Sequence, residues 1–188
     1  IKKNKIKEFI RLHSNHPRLL DILEIMGTLT PETISKHLYE FLPMDDLTDQ
    51  AQISAFFEVK TTFITESEIK WITNYFKKSP IQKKQMLLSR LSYSVFFEEY
   101  PFNGQYTSNL LNDLSIKERD LVWTEWIREH TAYGGKLGSL PTDYEEAVKT
   151  KKITQDRAAL GAEYLKWFLT STNRDIRDKT TRALYWLG

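Results

Sequence analysis

Histidines, paired glutamates and a glycine-rich loop are the residues of this chain whose types and spacing could do chemistry. His13 and His16 stand three residues apart, the interval at which two imidazoles on one helix face share a metal ion. No nearby Cys, Asp or Glu completes a ligand set at a sensible spacing, and His37 and His130 stand alone, so a solvated helix end is the simpler reading and no metal is expected. Glu125 and Glu129 lie one helical turn apart beside Trp126, as a carboxylate pair with shifted pKa values for acid–base work would. With Arg128 adjacent, the same spacing describes a wet helix face, and Glu98-Glu99 before Tyr100 reads the same way. The loop Gly134-Gly135-Lys136-Leu137-Gly138-Ser139 resembles a phosphate cradle, but the GxxxxGK[ST] spacing is missing and a helix precedes it where the motif needs a strand. It reads as a helix stop and turn. No Ser sits in a G-x-S-x-G elbow. The residues offer no catalytic set, and the expectation is a non-enzymatic chain without cofactor.

Basic residues cluster twice. Lys2, Lys3, Lys5, Lys7, Arg11 and Arg18 face few acids near the start, and Lys77, Lys78, Lys83, Lys84 and Arg90 form a second group. Phosphate backbones are natural partners for such patches, which makes nucleic-acid contact through Lys2, Lys3, Lys5, Lys7, Lys77, Lys78, Lys83 and Lys84 one reading. The plainer one is a solvated surface balanced by Asp45, Asp46, Asp49, Glu58, Glu66 and Glu68, since no DNA- or RNA-binding motif accompanies the charge.

The elements that must position these residues are helical. At 188 residues with 40% apolar and 28% charged side chains, the chain is long enough to bury a core. Its few Gly and Pro, set against long runs of helix formers, point to an all-α fold. No cysteine means no disulfide and no thiolate site, which fits the cytoplasm. No run approaches the roughly 18 to 20 apolar residues of a membrane span, so no membrane partner is expected. A start at Ile1 without Met and an apolar end at Tyr185, Trp186 and Leu187 lead us to expect a segment of a longer chain.

Capping boxes recur at Thr65–Glu68, Ser79–Gln82, Ser115–Glu118 and Thr172–Asp175, where a hydroxyl residue precedes an acid or amide by three. Pro31 and Pro80 suit first turns. Apolar residues recur at three and four near 1–13, 17–26 and 31–42. The same stripe marks Ile69, Ile72 and Phe76; Leu87, Leu88, Leu91 and Val95; Val122, Trp123, Trp126, Ile127 and His130; Ala158, Ala162, Leu165, Phe168 and Leu169; and Ile176, Ala183, Leu184 and Leu187. That makes eight helices, with a short ninth after Thr142. The stretch 51–65 suits strand as well as helix, and is read as helix. Breaks at 43–46, 100–105 and 133–141 are too short for linkers, so residues 1–188 read as one helical domain with a soft seam near 100–108.

The last third reads as two helices folded back across a polar turn, similar to a HEAT-like repeat. Ile176, Thr180, Ala183 and Leu187 would face the partner helix; Arg177 and Asp178 would either form an inter-helix ion-pair network, the favoured reading, or point outward to bind. The expected architecture is antiparallel hairpins stacked as an α-solenoid, or an irregular helical bundle.

Two strings carry a family resemblance. ERDLVWTEWI (Glu118 to Ile127) and LKWFLTSTNRDIRDKTTRAL (Leu165 to Leu184) resemble paired motifs in the helical region that follows the nucleotide-binding core of large bacterial STAND NTPases, including AVAST-type antiphage proteins. Arg119, Asp120, Trp123 and Thr124 match the first motif; Leu169, Thr170, Ser171, Asn173, Arg174, Arg177, Asp178, Ala183 and Leu184 match the second, with Thr180 where Ala is expected. The resemblance spans about positions 110–188 and carries no P-loop. It implies a scaffold or sensor that packs on an ATPase core and recognises a protein. The rival reading is a stand-alone basic module binding nucleic acid, and a third is a hydrolase using Glu125 and Glu129.

Overall fold

Short polar residues set where the helices begin. In a computed structural model, which describes residues 3–13, 18, 53, 57, 64–132, 135 and 137–186, nine α-helical stretches are described. They are α1 (Lys3–Leu12), α2 (Glu66–Lys78), α3 (Ile81–Leu91), α4 (Gly104–Asn112), α5 (Ile116–Arg119), α6 (Glu125–Thr131), α7 (Leu140–Lys149), α8 (Gln155–Leu165) and α9 (Arg174–Tyr185). A π turn at Asp120–Thr124 joins α5 to α6, and a 3-10 turn at Lys166–Thr170 extends α8. Among the described residues there is no strand, so the fold is all-α. None of their helices is long and apolar enough to cross a membrane.

Each cap gives a partner to an N–H that the first helical turn leaves without one. Asn103 accepts from the Tyr106 amide at 3.2 Å, Ser115 from Glu118 at 3.3 Å, Thr154 from Arg157 at 3.2 Å and Asn173 from Asp175 at 3.0 Å. Two expected caps shift by one residue: Asn173 replaces Thr172, and Pro80, with no side-chain bond, replaces Ser79. At Thr65 the return arm of the box is present, with its amide donating to Glu68 Oε2 at 2.9 Å.

The chain divides into two compact units, Ile1–Glu68 and Ile69–Gly188. In the first, α1 confirms the expected opening helix, and Ile53 and Phe57 are helical. The helices expected at 17–26 and 31–42, with Pro31, lie outside the described residues. In the second, the region expected to be a seam holds α4, a helix that periodicity missed.

The second unit is built on large aromatic residues. Trp123, Trp126, Tyr164, Phe76, Phe102 and Phe168 are fully buried. α8 packs on α4, α9 packs on α7 and on the 3-10 turn, and α3 packs on the π turn. The C-terminal pair therefore meets chiefly near its turn, while the body of each helix lies on another partner. This is the irregular-bundle form of the expected all-α architecture.

Two backbone features fix the helix ends and approaches. A Cβ at Gly104 would stand 2.1 Å from the Leu160 carbonyl oxygen, so α4 and α8 touch through a position that only glycine fits. α7 ends with Lys151 at φ 53°, where the Lys152 amide bonds Ala147 O at 2.9 Å and the Lys151 amide bonds Val148 O at 3.1 Å. That is a Schellman stop carrying lysine where glycine is usual.

Candidate interaction surface

Several of the described residues singled out for chemistry make local structural contacts. Arg128 donates to Glu125 Oε2 from Nε at 2.9 Å and from Nη2 at 2.8 Å, a bond that raises the Arg128 pKa above its ordinary value. Glu129 is exposed one turn on, so the pair forms a solvated face of α6. His130 caps its own helix, with Nδ1 2.9 Å from Trp126 O and its ring stacked 4.6 Å from the Trp126 ring. His13 lies 4.5 Å from the Phe9 ring; His16 and His37 are outside the described residues. No three His, Asp or Glu side chains gather as metal ligands among the described residues. After α6, the Gly135 amide bonds Ala132 O at 3.0 Å and the Gly138 amide bonds Gly135 O at 2.7 Å, the turns of a helix stop.

The two resemblance segments meet. Trp123 donates its indole N–H to Trp167 O at 2.9 Å, and Arg119 lies 5.3 Å over the Trp167 ring. Trp167 in turn donates to Ser108 Oγ at 3.1 Å, and Trp126 to Ser89 Oγ at 3.0 Å. Trp123, Tyr164 and Phe168 contact one another edge-on at 5.5 to 5.8 Å. Asp120 accepts from Thr124 Oγ1 at 3.4 Å within the π turn. Nothing in the spacing announced that turn. Tyr164 has no hydrogen-bond partner for its buried hydroxyl among the described residues, and burial pushes its pKa up.

The expected network of Arg177 and Asp178 is not formed. Arg177 Nη1 donates to Ser171 O at 2.6 Å, closing the turn before α9, while Asp178 pairs at 3.5 Å with Arg174 one turn earlier on the same exposed face. Asn173 is the cap of α9. Ile176, Thr180 and Ala183 are buried as expected, and Leu187 lies outside the described residues.

The second basic cluster is not a patch of free cations. Lys84 is 4% exposed, pairs with Glu118 and lies 5.8 Å over the Phe76 ring. Lys77 pairs with Asp113 at 2.8 Å, Lys83 is half-buried, and Lys78 is exposed. Helical spacing explains the difference, since it turns Lys84 inward with Leu87, Leu88 and Leu91. Of the first cluster, Lys5 is exposed on α1; Lys3 and Lys7 share that helix without a described side chain, and Lys2 is outside the described residues.

Three hollows open on the surface among the described residues. One, about 580 Å³, is rimmed by Glu98, Asp156 and Glu163, but Arg157 lies 3.5 Å from Glu98 and Lys166 pairs with Glu163. A groove of about 490 Å³ between α7 and α9 is lined by Glu145, Lys149, Thr181, Arg182, Tyr185 and Trp186. There Lys149 lies 4.3 Å over the Trp186 ring and pairs with Glu145, whose pKa it lowers. The third, about 320 Å³, opens between the start of α3 and the helix carrying the π turn. Compared with known proteins, the chain matches no family model, no curated sequence and no solved structure.

Proposed function

We propose that this chain is a non-catalytic α-helical scaffold or sensor segment of a STAND-like NTPase, recognising protein in antiphage defence. The observation that carries the reading is the join between the two resemblance segments through Trp123, Arg119 and Trp167. Residues that match the motif pair are occupied in caps, turns and buried indole bonds, the work of a scaffold. The α7–α9 groove adds Tyr185, Trp186 and Arg182, residue types that dominate binding energy at protein interfaces.

The test is light scattering and thermal melting of the chain alone and mixed with a STAND nucleotide-binding core from the same genome. Association with a raised melting temperature supports the scaffold. A chain that stays monomeric and melts unchanged beside that core rejects it.

A further inference from the structure

We propose that the cleft between the start of α3 and the π turn docks an acidic peptide segment of a partner protein, anchored by bulky apolar side chains. This rests on the protein-recognition reading and names a surface for it. Pro80, Ile81 and Leu121 supply apolar walls, with Lys84, Glu118 and Lys117 among them. Ile116, beside Ser115 of the same cleft, is 74% exposed, and Leu121 is 43% exposed.

The π turn accounts for that exposure. Ile116 and Trp123 are seven residues apart, which in an uninterrupted α-helix puts them within about 20° of one face. Trp123 is fully buried, so an unbroken helix would carry Ile116 toward the core. Each residue of a π turn advances by less than the α-helical 100°, so the turn at Asp120–Thr124 sets Ile116 off the face that buries Trp123. Gln85 holds the turn from α3, donating to Leu121 O at 3.0 Å. Ile116 and Leu121 are apolar side chains left open to a partner.

Charge selects the partner. Lys84 and Glu118 neutralise each other at the floor. Lys117 is exposed at the rim and Lys78 is exposed next to Ser79, and neither pairs with a carboxylate among the described residues. With Lys84 and Glu118 paired, Lys117 leaves the lining with one net positive charge and Lys78 lies beside it, a rim that complements carboxylates. Two free cations and no aromatic platform are poor provision for a nucleic-acid strand, which needs a tract of phosphate contacts and stacking rings.

The experiment pans a phage-displayed library of random 12-residue peptides against the whole chain, then measures enriched peptides by fluorescence anisotropy. Expected are peptides combining Asp or Glu with Leu, Ile or Phe, bound at least tenfold more weakly by Lys117→Glu and by Leu121→Asp, both melting like the parent. Tyr185→Ser, in the other groove, leaves their binding unchanged. Acidic peptides that bind both cleft variants normally overturn this site while the protein-recognition reading stands. No enrichment, or enrichment of basic peptides, also overturns it, and failure to associate with a STAND core is what sinks the broader reading. An oligothymidylate whose binding disappears in Lys117→Glu overturns the choice of a protein occupant.

Discussion

Trp123→Phe tests whether the two motif segments are a structural latch. Trp123 is fully buried, so losing the pyrrole part of its ring removes roughly 40 Å³ of packed volume, or about 1 kcal/mol at the usual cavity cost. Its indole bond to Trp167 O also disappears. That carbonyl keeps a second donor, Thr170 Oγ1 at 2.7 Å, so no buried acceptor is orphaned and the loss is that of an ordinary hydrogen bond, about 1 kcal/mol. Phe retains edge contact with Tyr164 and Phe168. The sum is about 2 kcal/mol, a fall of about 4 to 8 °C in melting temperature for a chain of this size. Urea titration followed by far-UV circular dichroism measures it without relying on tryptophan emission. Trp186→Phe, at a half-exposed position, serves as the control and should cost under about 0.5 kcal/mol. If Trp123→Phe costs no more than that control, the latch is refuted.

Gly104→Ala should destabilise by about 2 to 3 kcal/mol in the same titration, because the new methyl meets the Leu160 backbone, whereas Gly161→Ala meets only the Phe96 and Tyr144 rings and should cost less. Lys151→Gly should raise stability by about 0.5 to 1 kcal/mol by relieving a positive φ at the α7 stop; a loss would contradict that geometry. Glu118→Gln leaves the buried Lys84 ammonium alone and should cost about 2 to 4 kcal/mol, while Lys84→Met returns a partly exposed carboxylate to water and should cost under about 1 kcal/mol; equal costs would show that the burial asymmetry does not govern the pair. Burial pushes Tyr106 and Tyr144 up to about 12, so the folded state holds protons that the unfolded chain releases near 10; stability is full below pH 10 and falls between pH 10 and 12, read by melting alongside tyrosinate absorbance.

Much of the fold was legible because burial follows the helical period. Ile72 with Phe76, Leu87 with Leu88 and Leu91, and Trp123 with Trp126 and Ile127 are buried where the spacing places them. α4 was missed because its core-facing residues include Thr107 and Ser108, and its first residue, Gly104, reads as a breaker. Only the approach of Leu160 O, fifty-six positions away, explains that glycine. The inward turn of Lys84 was hidden for a related reason: a lysine in a basic run looks like surface until the partner carboxylate, here Glu118, is brought to it by the fold. The π turn has no signature in composition, since it is a matter of phase between two halves of one helix.

The buried indoles explain why the motif pair reads as architecture. Trp123 reaches Trp167, Trp126 reaches Ser89, and Trp167 reaches Ser108, so three N–H donors connect the helix with the π turn, the 3-10 turn, α3 and α4. A buried indole N–H without an acceptor would cost about 1 to 3 kcal/mol, which makes each bond selective for this arrangement. Arg119 and Arg177 are engaged in the same framework, one over the Trp167 ring and one on Ser171 O. Residues this engaged specify shape. Among the large apolar residues left exposed are Ile116 and Leu121, and Tyr185 and Trp186. On the proposed reading, variants at those positions alter binding while variants at the indoles alter stability.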